Sequence, residues 1–311
     1  MSLQWPTIPE DRRLRRLLPP TGTVKLVLDT DTFNEIDDQF ALVYALLSKD
    51  RLHLQAVYAA PFHHGQVSGP KEGMEKSYEE IIRIFDRMGV RSEGVVLRGS
   101  ERFLPGDGQP VDSAAARDLI ARAMAASELE PLYVVAIGAI TNVASALLLE
   151  PRIADKIVVV WLGGNALDWR TAHEFNLKQD VPAVRAVLDC GVPLLLIPCM
   201  GVASHLITTL PEIERYVKGR GAIGDFLADR YEACSADHFG YSRVIWDLSA
   251  IAWLVNPDFV PTSLAHSPVL TDQLTWSRDS TRHFIRYATY VRRNPIFRDF
   301  FQKLEQYAGQ V

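Results

Sequence analysis

Short, apolar, β-branched runs recur along the chain at 24–28, 54–59, 95–97, 133–137, 157–162 and 194–197. Between them, apolar residues recur at helical spacing over 39–48, 73–88, 113–126, 142–149 and 181–188. Runs without polar alternation suit strands buried on both faces. Strands alternating with helices predict an α/β fold, a mainly parallel sheet with helices on both faces. Right-handed crossovers then bring the strand-end loops to one edge, where such sheets bind ligands. After Pro198 the regularity fades. Residues 210–230 and 244–254 read as helices, 274–276 with 284–287 as an antiparallel hairpin, and 294–307 as a closing amphipathic helix. Residues 1–22 form a polar, arginine-rich lead-in, expected on the surface over a sheet edge with its arginines solvated, like Arg292 and Arg293. No linker, low-complexity tract or repeat divides the chain, so a single domain over 1–311 is expected.

Composition narrows the class. The chain has 311 residues, 48% of them hydrophobic, which is ample for a large core and argues against disorder. A net charge of −5 leaves no general nucleic-acid footprint. Cys190, Cys199 and Cys234 lack paired spacing and fit reduced thiols in a cytoplasmic protein, with Cys190 and Cys199 as buried small hydrophobes. No apolar run reaches the ~18 residues of a membrane span. The opening MSLQWP lacks the basic-then-apolar order of a signal peptide.

The chemistry concentrates in VKLVLDTDTFNEIDDQFAL at 24–42. A strand runs into Asp29, Asp31, Glu35, Asp37 and Asp38, and a helix follows. Carboxylates this dense repel one another unless neutralised, and a hard divalent cation with oxygen ligands does so most simply. The plainer reading is a solvated turn in which Asp37 or Asp38 caps the helix. A cap uses one carboxylate and leaves the others unexplained. D-T-D-T after a strand also resembles the first motif of haloacid-dehalogenase-type phosphatases, with Asp29 as nucleophile and Asp31 as acid/base. That family needs a later lysine and an acidic pair at another strand end, and 163–165 and 198–200 supply no such pair.

Three later stretches favour another family. Val135-Ala-Ile-Gly-Ala-Ile-Thr-Asn142 leaves a strand and enters a helix. Val160-Trp-Leu-Gly-Gly-Asn165 ends a strand, with Glu174-Phe-Asn176 soon after. Trp246-Asp247 stands at a late helix start. With DTDTFNEIDD, these resemble the nucleoside hydrolases, the inosine–uridine-preferring family, in order from about Val24 to Leu254. The resemblance implies a homodimeric or homotetrameric α/β enzyme that binds calcium (Ca2+) at the strand ends. It also implies hydrolysis of the N-glycosidic bond of ribonucleosides. Asp31, Asp38 and Asp247 are then calcium ligands with the Ile137 carbonyl, and Asp31 is also the general base. Asp37, Asn176 and Glu174 bind ribose, and Asp29 supports the loop from behind.

The chain departs from the family's D-x-D-P-G-x-D-D loop by two extra residues and the loss of Pro-Gly, leaving the insertion 32–36 without an assigned role. His63 or His64 stands where many members carry Asn. Trp246 resembles the purine-preferring subgroup, where tryptophan stacks on the base, so a purine leaning is expected. His173 is a further base-side candidate, and Asp168 and Trp169 are weaker ones. Residues 233–242, with Asp237, His238, Gly240 and Tyr241, suit a mobile lid or an ordinary loop. A second reading is a sugar- or nucleoside-binding module that kept the calcium site without turnover.

Overall fold

The computed structural model describes residues 5–106, 108–127 and 129–310. Met1 to Gln4, most of the MSLQWP opening, lie outside the described residues. The strands are β1 (Val24–Thr30), β2 (Leu52–Ala59), β3 (Val96–Arg98), β4 (Leu132–Ala136), β5 (Ile157–Leu162), β6 (Leu194–Ile197), β7 (Ile207–Thr208), β8 (Arg243–Val244), β9 (Thr262–His266), β10 (Val269–Leu270), β11 (Trp276–Ser277) and β12 (Phe284–Ala288). Eight of them form one sheet in the order β3-β2-β1-β4-β5-β6-β12-β9. All its pairings are parallel except β12 with β9.

Both faces of this sheet are buried, which explains the unbroken apolar runs. Leu26, Leu28, Val135, Val160 and Ile197 pack on one face against the helices Asp37–Leu47, Pro70–Arg87, Leu248–Val255 and Arg293–Ala308. Val27, Val134, Val159 and Leu196 pack on the other against Ala114–Ala125, Thr141–Leu149 and Val181–Asp189. The side-chain period of two assigns neighbours to opposite layers. Leu248–Val255 is buried along its whole circumference, including Trp253, as an apolar helix in a core must be.

The strand order reverses at β1. The chain moves outward to β2 and β3, then returns to β4 on β1's other side. This switch point opens a crevice between the carboxyl ends of β1 and β4, where the acidic loop and Ile137 lie.

Four expectations need correction. The 210–230 stretch is two helices, Leu210–Tyr216 and Gly221–Ala233, because Gly219 and Gly221 take positive φ of 75° and 72° between them. Val244 belongs to β8, paired with Ile207, and the late helix starts only at Leu248. The hairpin is mispaired: Phe284–Ala288 pairs with Thr262–His266, and Trp276–Ser277 with Val269–Leu270. The lead-in holds the helix Glu10–Arg16, and Arg13 and Arg16 are buried rather than solvated. Arg13 Nε donates to the Gly191 carbonyl at 3.1 Å, and Arg286 Nε donates to the Leu17 carbonyl, tying the segment to the sheet.

Candidate active site

The strand β1 ends at Thr30, and the loop from Asp31 to Ile36 turns back into the helix Asp37–Leu47. Asp37 and Asp38 occupy its first turn, where the helix dipole favours anions. Ile36 is the N-cap and no side chain caps the helix, so neither aspartate is used as a cap. Asp247 precedes Leu248–Val255, which packs beside that helix and brings the late carboxylate to the early loop. Carboxylate oxygens of Asp37, Asp38 and Asp247 come within 4.8 Å of one another. Asp31 lies outside that trio, yet it lines the same cavity of about 250 Å³.

All four side chains are buried, between 1% and 4% exposed. Burial, and then the charge of neighbouring carboxylates, raises the pKa of Asp31, Asp37 and Asp247 well above the usual range. Burial raises Asp38 too, opposed by the hydrogen bond donated by Thr30 Oγ1. Asp31 Oδ2 is buried with no hydrogen-bond partner. A crowded, all-oxygen donor set with an orphaned carboxylate oxygen fits a hard divalent cation.

Asp29 faces away from the cavity. It accepts from Asn142 Nδ2 at 2.7 Å, and Asn142 Oδ1 accepts from the Ser100 N–H at 2.7 Å. Burial pushes the Asp29 carboxyl up to about 7 despite the Asn142 bond. Gly138 is required beside Asp31: a Cβ there would stand 2.6 Å from Asp31 Oδ1.

On the opposite wall, Glu174 is the N-cap of Phe175–Gln179. Its carboxylate accepts the backbone N–H of Gly164 at 2.8 Å, Asn176 at 2.9 Å and Leu177 at 3.1 Å. Burial raises its pKa against those three bonds. Asn176 Nδ2 donates to the carbonyls of Ile137 at 3.1 Å and Leu162 at 3.0 Å, which leaves its Oδ1 for a ligand. Asn165 Nδ2 likewise donates to Thr171 and His173 carbonyls.

Ile137, Trp246 and His173 line the cavity with these groups. His63, His64, His238 and Tyr241 do not. The His63 N–H donates to the Gln179 side chain at 2.8 Å, and His64 packs on Phe62 and Phe175. His238 stacks on Tyr231, with its Nε2 2.9 Å from the Glu232 carbonyl, and Tyr241 packs against it. Asp168 and Trp169 line a separate cavity.

Sequence reasoning assigned no role to several lining residues. Asn34 and Glu35 of the insertion line the cavity, and Glu35 pairs with Arg243 at 2.8 Å. Phe33 lies between the cations Lys76 and Arg230, with its N–H on Ser77 Oγ at 3.3 Å. Cys199, expected as a plain small hydrophobe, lines the cavity and hydrogen-bonds Glu174. Its place just past β6 on the ligand edge was the available signal.

The family model for "Inosine-uridine preferring nucleoside hydrolase" matches residues 26–293. The pyrimidine-specific ribonucleoside hydrolase RihA of Klebsiella pneumoniae (strain 342) is 28% identical over 257 residues, covering 73% of this chain and 78% of that protein. RihB of Shigella flexneri, also pyrimidine-specific, is 28% identical over 42% of this chain and 44% of its own length. A purine-preferring ribonucleoside hydrolase from Gardnerella vaginalis shares the fold with TM-score 0.72 at 24% identity, covering 92% of this chain and all of that one. An inosine-guanosine nucleoside hydrolase does so with TM-score 0.72 at 20% identity, over 90% and 98%. With this match the phosphatase reading falls away. The chain belongs to the inosine-uridine preferring nucleoside hydrolase family and is an N-ribohydrolase.

Proposed function

We propose that the protein hydrolyses the N-glycosidic bond of ribonucleosides with calcium at the acidic cluster, releasing ribose and free base. The observation that carries this reading is the buried convergence of Asp31, Asp37, Asp38 and Asp247 on one cavity at the strand switch point. Asp31, Asp38, Asp247 and the Ile137 carbonyl are the groups that would hold the ion. When bound, it supplies oxygen coordination for vicinal hydroxyls and acidifies a bound water.

The chain's own groups do the rest. Asp31, with Oδ2 uncommitted, takes the proton of the attacking water. Asp37 and the Asn176 Oδ1 accept ribose hydroxyls. Glu174, held ready by three backbone N–H groups, faces the 5′ end of the sugar. Breaking the C–N bond builds positive charge on the sugar, and the surrounding carboxylates stabilise it without reorganising. Trp246 offers a stacking face for the base, which supports a purine leaning. His173 also lines the cavity, which supports it as the group that protonates a departing base. The test is release of free sugar from a nucleoside panel. Asp31→Asn abolishes it at unchanged fold; turnover by that variant at the parent rate would refute the assignment.

A further inference from the structure

The cavity's charge and hydrogen-bond inventory goes further than a generic nucleoside site. Six of its lining residues are carboxylates: Asp31, Glu35, Asp37, Asp38, Glu174 and Asp247. No lysine or arginine is among the lining residues. Arg243 offsets Glu35 from behind at 2.8 Å. With that pair and a divalent cation counted, the negative charges still outnumber the positive. The Asn165 and Asn176 side-chain N–H groups are spent on backbone carbonyls, and Asn165 Oδ1 accepts the Met200 N–H at 3.2 Å, so neither amide offers the ligand a donor and Asn176 Oδ1 is left as an acceptor. Asp31 Oδ2, almost wholly buried, has no partner. Trp246 and Phe175 add aromatic faces, and aromatic faces beside carboxylates favour cationic rings. Groups able to protonate a leaving base are sparse: His63, His64, His238 and Tyr241 stand outside the cavity, which leaves the exposed His173.

We propose that this cavity prefers ribosides whose glycosidic nitrogen already carries a positive charge, such as N-ribosylpyridinium compounds, over neutral nucleosides. The proposal rests on the N-ribohydrolase reading above. A neutral base departs as an anion unless an acid protonates it. A cationic ring needs none: the C1′–N bond breaks, its electron pair cancels the charge on nitrogen, and the base leaves neutral. Water delivers hydroxide to C1′, and Asp31 takes the remaining proton. Glu35, contributed by the insertion, neutralises Arg243 at the cavity wall, so its loss leaves an unpaired cation facing a cationic ligand.

The test compares kcat/KM for N-ribosylnicotinamide with that for inosine and uridine in the parent, Glu35→Gln and Glu35→Asp proteins. Intrinsic reactivity cancels when the cationic-to-neutral ratio is compared between variants. The parent favours the cationic substrate. Glu35→Gln lowers the ratio about tenfold, the order of one well-solvated charge contact at about 4 Å, and Glu35→Asp restores most of it. Thermal unfolding confirms that each variant is folded. A parent that favours inosine or uridine, or a ratio unmoved by Glu35→Gln, overturns the proposal while leaving the hydrolase reading intact. Absence of sugar release from all three substrates overturns both.

Discussion

Gly138 shows how closely individual positions are fitted around the acidic loop. With a Cβ there 2.6 Å from Asp31 Oδ1, Gly138→Ala displaces the proposed base, or the loop that carries it. Displacements near 1 Å cost about 100-fold in rate. The expected result is a kcat lowered about 100-fold with little change in melting temperature, measured by sugar release and calorimetry. His283 supplies a pH dependence remote from the acidic loop. Burial, followed by the charges of Arg13, Arg282 and His266, lowers its pKa to about 4, and its Nε2 has no hydrogen-bond partner. The unfolded chain protonates this histidine near 6.5, while the folded chain resists until about 4. Stability is therefore retained above 6.5 and falls as pH drops from there towards 4. His283→Gln flattens that limb of the melting temperature profile; an unchanged slope would refute the assignment. At this scale the sequence named the carboxylates, because Asp density after a strand is a local signal. It could not show that Glu174 spends its oxygens on backbone N–H groups, or that Asn176 bonds two carbonyls. The bonds of Glu174 to Asn176 and Leu177 are local helix capping, but its bond to Gly164, and those of Asn176 to Ile137 and Leu162, depend on the short helix meeting the ends of β4 and β5.

The elements divide by how local their determinants are. The strands and helices expected between residues 24 and 197 had boundaries legible to within about three residues, since alternation of buried runs and helical spacing is written into each segment, while the short helices Glu10–Arg16 and Phe175–Gln179 were missed. The β12 pairing was not, because its partners β6 and β9 are chosen by long-range packing. The break in 210–230 had a local signal in Gly219 and Gly221, which apolar periodicity overrode. Both have positive φ and open space for a Cβ, so Gly219→Ala costs only the backbone strain. The expected loss is about 1–2 kcal/mol in denaturant unfolding, with kcat/KM unchanged. The insertion behaves as an element of its own. Phe33 anchors it between Lys76 of one helix and Arg230 of another, and it carries Asn34 and Glu35 into the cavity. Phe33→Ala frees this bracket, and the expected signature is a raised KM with a largely retained kcat. Unchanged steady-state constants would show that the anchor is unnecessary.

Across the whole molecule, the fold explains why carboxylates more than 200 residues apart in sequence converge. The sheet order places β1 and β4 side by side at the switch point, and the buried helix Leu248–Val255 delivers Asp247 to the loop after β1. The α/β class was readable from alternation alone. Delivery of Asp247 was not, since the late helix carries no periodic hint of where it docks. No described helix is long and apolar enough to cross a membrane. The relatives named pyrimidine-specific do not carry the proposed purine leaning, which rests on Trp246 at the cavity wall. The convergent carboxylates are proposed to work as a calcium-dependent N-ribohydrolase site. The most direct test of this is free-sugar release from a riboside panel before chelation, after chelation and after calcium is restored. Release is expected to disappear with chelator and return with calcium. Full activity in the chelated protein, or no sugar from any riboside with calcium present, would contradict it.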